Sequence, residues 1–228
     1  MMELTQSIER DLMKLSKNTI NQLKHFASIS PNFIFKKGVE QTTIAGSKNR
    51  AVSATFDTAF PVNFPIRNLS GFLKAVSSLD DPDVKFTKSQ LTISDSNGKI
   101  YFERGKIRDL VLPSKEIKFP EADMEFDIDT AQYSSLVSSL RKHHFYYVYL
   151  KGDGKSILAV SSPTYRGEYM YEQILGKTKK KFSFKFLVSS LICPIDDYKV
   201  SISSKGIARF QSKNCDYISY AAIEIEKP

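Results

Sequence analysis

The sequence predicts an α+β protein made of two similar domains, each an antiparallel sheet with helices on one face. Three observations carry this. Most of the chain runs in short β-rich or alternating segments broken by turn residues. Three longer segments carry an apolar stripe at helical spacing instead. Finally, one stretch recurs. FLKAVSSLDDPDVKFTKSQLTISDSNGKIYF, from Phe72, aligns with FLVSSLICPIDDYKVSISSKGIARFQSKNCDYISY, from Phe186. Asp80 meets Asp196, Asp81 meets Asp197, Val84 meets Val200, Phe86 meets Ile202, Leu91 meets Ile207 and Tyr101 meets Tyr217. Both copies read short helix, acidic turn and three strands, and each follows a longer helix and further strands.

In chain order, the first helix is expected over Leu15–Ile29. Ile20, Leu23 and Phe26 mark its apolar face, and Lys17, Asn21, Lys24 and Ser28 share another. A second fits Leu69–Leu79, with Leu69, Phe72, Leu73 and Val76 inward and Ser70, Lys74, Ser77 and Ser78 opposite. A third fits Thr130–Lys142, capped by Asp129. Its stripe is Tyr133, Leu136, Val137 and Leu140; its remaining surface holds Ser134, Ser138 and Arg141, and Ser135, Ser139 and Lys142. A shorter helix is expected over Phe186–Ile192, stopped by Pro194. Expected strands include Asn32–Lys36, Val84–Thr87, Leu91–Ser94, Lys99–Glu103, Phe145–Leu150, Ser156–Val160, Tyr198–Ser203 and Tyr217–Ile225. Asn97-Gly98 and Gly152-Asp153-Gly154 read as hairpin turns. Residues 1–12 read as an N-terminal extension, 13–108 as the first domain, 109–125 as a linker holding Pro113 and Pro120, and 126–228 as the second domain.

Composition narrows the function. Of 228 residues, 41% are hydrophobic and 25% charged, enough apolar residues for a sizeable core. No apolar run is long enough to span a membrane, and residues 1–12 lack the apolar core of a secretory signal. Two cysteines make no disulfide framework, so a reducing, cytosolic setting is the default. With two cysteines and three histidines, closed Cys/His zinc sites are nearly excluded. Lys and Arg number 33 against 25 Asp and Glu, a net charge of +8, and both halves are basic. That tilts partners towards polyanions.

The helices sharpen this. A stable surface helix usually mixes Glu with Lys. No carboxylate occurs from Lys14 to Ser28, from Leu69 to Leu79, or from Thr130 to Lys142. Lysine neutralises phosphate, and serine offers short hydrogen bonds blind to sequence. No recognition-helix chemistry is apparent, since base readout prefers clusters of Arg, Asn and Gln at groove depth. The pattern fits helices that face a polyanion without reading it; its plain alternative is a solvated face.

Several segments resemble the sliding clamps of T-even-type bacteriophages. They are Met13–Thr19 with Leu23–Ala27, the run Phe64–Leu73, Phe119-Pro120, Asp197–Val200, Gly206–Phe210 and Tyr217–Glu224. The likeness is dispersed, running in order from Met13 onwards, and no single motif is specific. It implies the DNA clamp fold, similar in architecture to proliferating cell nuclear antigen. It also implies a homotrimeric ring with sheets outside and helices lining the hole. Such a ring encircles duplex DNA independently of sequence, tethers the replicative DNA polymerase, and is placed on DNA by an ATP-dependent clamp loader. The resemblance further implies late-transcription proteins as partners, no cofactor, no catalysis, no membrane, and the cytoplasm of an infected bacterial host. No Walker-type phosphate loop occurs in the sequence. Carried over by position, Lys14, Lys17, Lys24, Lys74, Arg141 and Lys142 face the DNA. The resemblance also implies a pocket beside the linker for a partner's C-terminal peptide, with Val111, Leu112 and Phe119 expected as its wall. An ordinary solubilising lysine, or ordinary linker packing, is the plain alternative at each position. The run Lys177, Lys179, Lys180, Lys181 reads as a hairpin tip.

Two other readings use different residues. Asp80-Asp81 with Asp83, and Asp196-Asp197, would suit a magnesium-dependent nuclease; their place after short helices suits turns and caps instead. His143-His144, entering a strand, point to opposite faces and share no site. Tyr146, Tyr147 and Tyr149 would suit a single-strand-binding or structural phage protein that stacks bases. In a strand, Tyr147 and Tyr149 share a face with Phe145, which favours core packing.

Overall fold

A computed structural model describes residues 12–112, 117–161 and 170–224. All but Leu12 of the expected N-terminal extension, and residues 113–116 of the expected linker, lie outside these. The described residues fall into two compact units. The first runs to Lys48 and from Val52 to Leu112; the second holds Asn49–Ala51 and everything from Ile117 onwards.

The first unit contains β1 (Leu12–Met13), α1 (Lys17–Ile29), β2 (Phe33–Phe35), β3 (Gly38–Ile44), most of β4 (Arg50–Phe60), β5 (Phe64–Ile66), α2 (Leu69–Ser78), β6 (Asp83–Phe86), β7 (Gln90–Ser94) and β8 (Lys99–Glu103). A single helical turn follows at Ile107–Asp109. One antiparallel sheet has the order β1-β6-β7-β8, β3 lies beside β4, and β2 pairs with β5. The core is a phenylalanine cluster. Phe35 meets Phe33, Phe60, Phe72 and Phe86 at centroid distances of 4.9, 4.8, 5.3 and 5.3 Å, and Phe26 meets Phe33 and Phe56 at 5.7 and 5.3 Å. Most pairs meet edge to face, the preferred geometry of rings with negative faces and positive rims. Each buried ring contributes about 1.5–3 kcal/mol by leaving water. Leu23 and Phe26 pin α1 to this cluster; Leu69, Phe72, Leu73 and Val76 pin α2.

The second unit contains β9 (Met124–Ile128), α3 (Thr130–Lys142), β10 (Tyr147–Asp153), β11 (Ser156–Ser161), β12 (Tyr171–Lys177), β13 (Lys181–Leu187), α4 (Val188–Leu191), β14 (Tyr198–Ser203), β15 (Ile207–Ser212) and β16 (Tyr217–Ala222). One sheet has the order β12-β11-β10-β13, and β16, β15, β14 and β9 pair in succession. The buried Tyr133 ring of α3 packs on Tyr198 at 5.0 Å. Its hydroxyl donates to the Leu191 carbonyl at 2.7 Å and accepts from the Cys193 N–H at 2.6 Å. One hydroxyl thus ties α3 to the end of α4.

The internal repeat is visible as element order: strand, helix, further strands, short helix, three strands in each unit. Val84 and Val200, and Phe86 and Ile202, are buried as equivalent positions should be. The tyrosine match fails in environment. Tyr101 is 57% exposed on β8, an end strand of its sheet in this unit, whereas Tyr217 is buried.

Four expectations need correction. The helix expected over Phe186–Ile192 is one turn, because Phe186 and Leu187 pair with Val148 and Tyr147 in β13. Met124 and Glu125, placed in the linker, pair with Ile202 and Ser201 in β9. His143 caps α3 and His144 has a φ of 53°, so this pair closes a helix instead of entering a strand. The strand therefore begins at Tyr147. Val148 and Leu150 face the core, and Tyr147 and Tyr149 face away from it.

Candidate nucleic-acid interface

The helices that carry the expected DNA-facing residues are held by their capping residues. At α1, Ser16 accepts the Thr19 N–H at 2.9 Å and donates to the Asp57 carboxylate at 2.7–2.8 Å; the Thr19 hydroxyl donates to the same carboxylate. The Thr19 and Ser16 hydroxyls hold the Asp57 carboxyl below its ordinary range. A carboxylate at a helix N-terminus also meets the positive end of the helix dipole. At α2, Asn68 accepts the Gly71 N–H at 2.7 Å. A Cβ on residue 71 would stand 2.6 Å from Asn68 Nδ2, so glycine permits that cap. At α3, Asp129 and Gln132 form a reciprocal capping box. Asp197, just before β14, adds a second carboxylate, accepting the Thr130 N–H at 2.6 Å and its hydroxyl at 2.7 Å. These Thr130 hydrogen bonds lower the Asp197 pKa.

With the caps and stripes fixed, the outward faces follow. Lys17, Asn21, Lys24 and Ser28 of α1 are exposed together, as are Ser70, Lys74, Ser77 and Ser78 of α2. On α3, Ser134, Ser138, Arg141 and Lys142 are exposed, and the two cations occupy the last turn, where the dipole favours them. None of the three helices contains an aspartate or glutamate. In the first unit, a cleft of about 490 Å³ runs beside α1. Ile20 and Val76 contribute apolar surface to it, and Lys17, Lys24 and Ser77 contribute polar groups. Lys14 differs from the others. It precedes α1, and its ammonium is bound by the Asp81 carboxylate and by the Asp81 carbonyl at 2.7 Å, which raises its pKa.

The proposed peptide-pocket residues are distributed between the two units. Val111 and Leu112 are half-buried in the first. In the second, Phe119 lies against Tyr220 with centroids 6.5 Å apart, and the Arg209 guanidinium sits 4.7 Å from its ring centre.

The acidic pairs act within the fold. Asp197 caps α3, Asp196 accepts from Ser212 and Asn214, Asp81 holds Lys14, and the Asp80 N–H donates to Asp95 at 3.0 Å. Among the described residues, no group of three or more His, Cys, Asp or Glu side chains could hold a metal ion, and no helix is long and apolar enough to cross a membrane. Sequence reasoning missed Asp57, which sits in a strand and meets α1 only through the fold.

No protein-family model matches the chain. It is 25% identical over 214 residues to the sliding clamp of Vibrio phage KVP40, covering 90% of this chain and 97% of that protein. To the sliding clamp of Escherichia phage RB69 it is 24% identical over 217 residues, covering 90% and 95%. The chain is similar to phage sliding clamps along most of its length. The solved structures agree on the fold. Proliferating cell nuclear antigen from Entamoeba histolytica matches with a TM-score of 0.67 at 15% identity, over 94% of this chain and 98% of that chain. The DNA polymerase III β subunit of Pseudomonas aeruginosa matches at 0.66 and 10% identity, over 96% of this chain and 65% of that one. This is the DNA clamp fold.

Proposed function

We propose that this chain is a DNA sliding clamp, a processivity factor that closes as a homotrimeric ring around duplex DNA and tethers the replicative polymerase. The observation that carries the reading is the set of three capped helices with exposed cations and no carboxylate. In the proposed ring these faces meet the duplex. An exposed ammonium near a phosphate gains about 1 kcal/mol in water at 4 Å, and salt screens it further. Such contacts are weak, similar in strength and indifferent to base identity, so the ring holds DNA by closure while each contact breaks easily. Tethering then acts through effective concentration, keeping the polymerase beside its template without a tight clamp–DNA bond.

The same proposal assigns Lys17, Lys24, Lys74, Arg141 and Lys142 to the DNA-facing surface, with Lys14 a lesser contributor because Asp81 holds it. It assigns Val111, Leu112 and Phe119 to the wall that receives partner peptides. An ATP-dependent loader opens the ring, late-transcription proteins share it, the clamp catalyses nothing itself, and it works in the host cytoplasm. The test is topological. The native mass should be three times 25.9 kDa, and protein loaded on nicked circular DNA should be lost when the circle is cut. A monomeric mass, or equal retention on circular and linear DNA, refutes the ring.

A further inference from the structure

The β12-β11-β10-β13 sheet has a second face, turned away from the core of its unit. Val148 and Leu150 point from β10 into the core, leaving Tyr147, Tyr149 and Lys151 on the opposite side. Cross-strand partners share a face, so Lys185 of β13 lies beside Tyr149, and Leu158 of β11 beside Lys151. The Lys185 ammonium is 4.2 Å from the Tyr147 ring centre and 5.7 Å from that of Tyr149; the Lys151 ammonium is 5.1 Å from Tyr149. Each ring therefore has an ammonium group against it, from β13 or from its own strand. Tyr146, 57% exposed, sets its ring edge-on to Tyr147 at 4.7 Å. Beyond Leu158, Ile174 is 62% exposed. The basic hairpin between β12 and β13 rises at one end of the sheet, with Lys181 opposite Asp153.

Core packing does not explain Tyr147 and Tyr149, half-buried on the face turned from the core, and solubility does not call for rings between the lysines. We propose that this face is a second nucleic-acid site, a platform on which Tyr147 and Tyr149 stack bases of a single strand while Lys151, Lys185 and Lys181 hold its phosphates. Stacking on aromatic side chains is tolerant of sequence, and lysines alongside supply the backbone attraction. Tyr147 and Tyr149 are two residues apart on one strand, about 6.7 Å, a spacing that neighbouring bases of an extended strand can span. A duplex keeps its bases stacked inside, out of reach of a flat sheet. Glu172 on β12 and Asp153 at the end of β10 lie at the margins, and Glu224 bridges to Lys185 on the open side of β13, so the phosphates would lie over Lys151 and Lys185 with Glu224 at the rim. The proposal is independent of ring closure.

The test is fluorescence anisotropy of labelled oligothymidine, and of a duplex of equal length, with the full chain. Changing Tyr147→Ala and Tyr149→Ala together should weaken oligothymidine binding roughly tenfold or more and leave duplex binding unchanged. Changing both to Phe should preserve binding, which separates stacking from misfolding. The chain has no tryptophan, so tyrosine emission can be followed directly; it should fall as oligothymidine saturates the wild type and fall less in the alanine pair. Three results overturn the proposal. One is unchanged oligothymidine affinity in the alanine pair. Another is an equal loss for single strand and duplex. The third is an acidic, tyrosine-containing peptide that binds this face more tightly than oligothymidine.

Discussion

Replacing Lys17, Lys24 and Arg141 together by Gln removes three exposed cations from α1 and α3 without touching a buried residue. If each faces one phosphate at the dielectric of water, each is worth about 1 kcal/mol. The triple variant should then lose about 3 kcal/mol of duplex affinity at low salt for each chain in contact, on the order of a hundredfold per chain. The salt dependence is the sharper measure. Each phosphate contact contributes about 0.9 to the slope of log affinity against log salt, so the slope should flatten by roughly 2.7 for each chain in contact. Duplex anisotropy across a salt series reads both quantities, and circular dichroism shows whether the helices persist. Lys14→Gln is the internal comparison: its ammonium is already held by Asp81, so it should flatten the slope by far less than one contact. A triple variant with wild-type slope, or a Lys14 variant that matches Lys17→Gln, refutes the assignment of these helix faces to DNA.

Two further outcomes concern stability. Tyr133→Phe strips the partner from the Cys193 N–H and the Leu191 carbonyl, both served by one buried hydroxyl. Denaturant melts should show a loss of about 1–3 kcal/mol, and an unchanged midpoint would contradict the clasp. Asp57 bears on acid stability. Its folded pKa is lowered, so its contribution is full above the ordinary Asp range and disappears as pH falls through the folded value. The wild type should therefore melt above Asp57→Asn at neutral pH, with the gap closing on acidification below about pH 4. A gap that widens in acid would reverse the sign.

The α3 helix is legible because everything that makes it is local: an Asp cap, Gln three residues on, and an apolar stripe at Tyr133, Leu136, Val137 and Leu140. Strands β3 and β4 are not. The inward residues of β3 are Gln41 and Thr43, polar side chains that erase the alternation a strand normally shows. Gln41 belongs there because its amide accepts the Lys36 N–H and donates to the Lys36 carbonyl, both at 2.9 Å, a local satisfaction that composition hides. The face of Tyr147 and Tyr149 was misread for a related reason. Counting alternation from Phe145 fails because Phe145 and Tyr146 precede the strand, which begins at Tyr147, so the buried Phe145 sets no register for it. On the candidate interface, the cationic faces follow from helical spacing alone. Their anchors, Asp57 and Asp197, lie 38 and 67 residues from the groups they hold and become visible only when the chain is folded.

The absence of acidic side chains on α1, α2 and α3 affects the protein before it meets any partner. Their ammonium and guanidinium groups have no carboxylate one turn away to lean on, so small anions from solution gather over them as a loose, mobile cloud. An arriving polyanion displaces that cloud, and the scattering of those ions into bulk favours contact without requiring any one side chain to hold still.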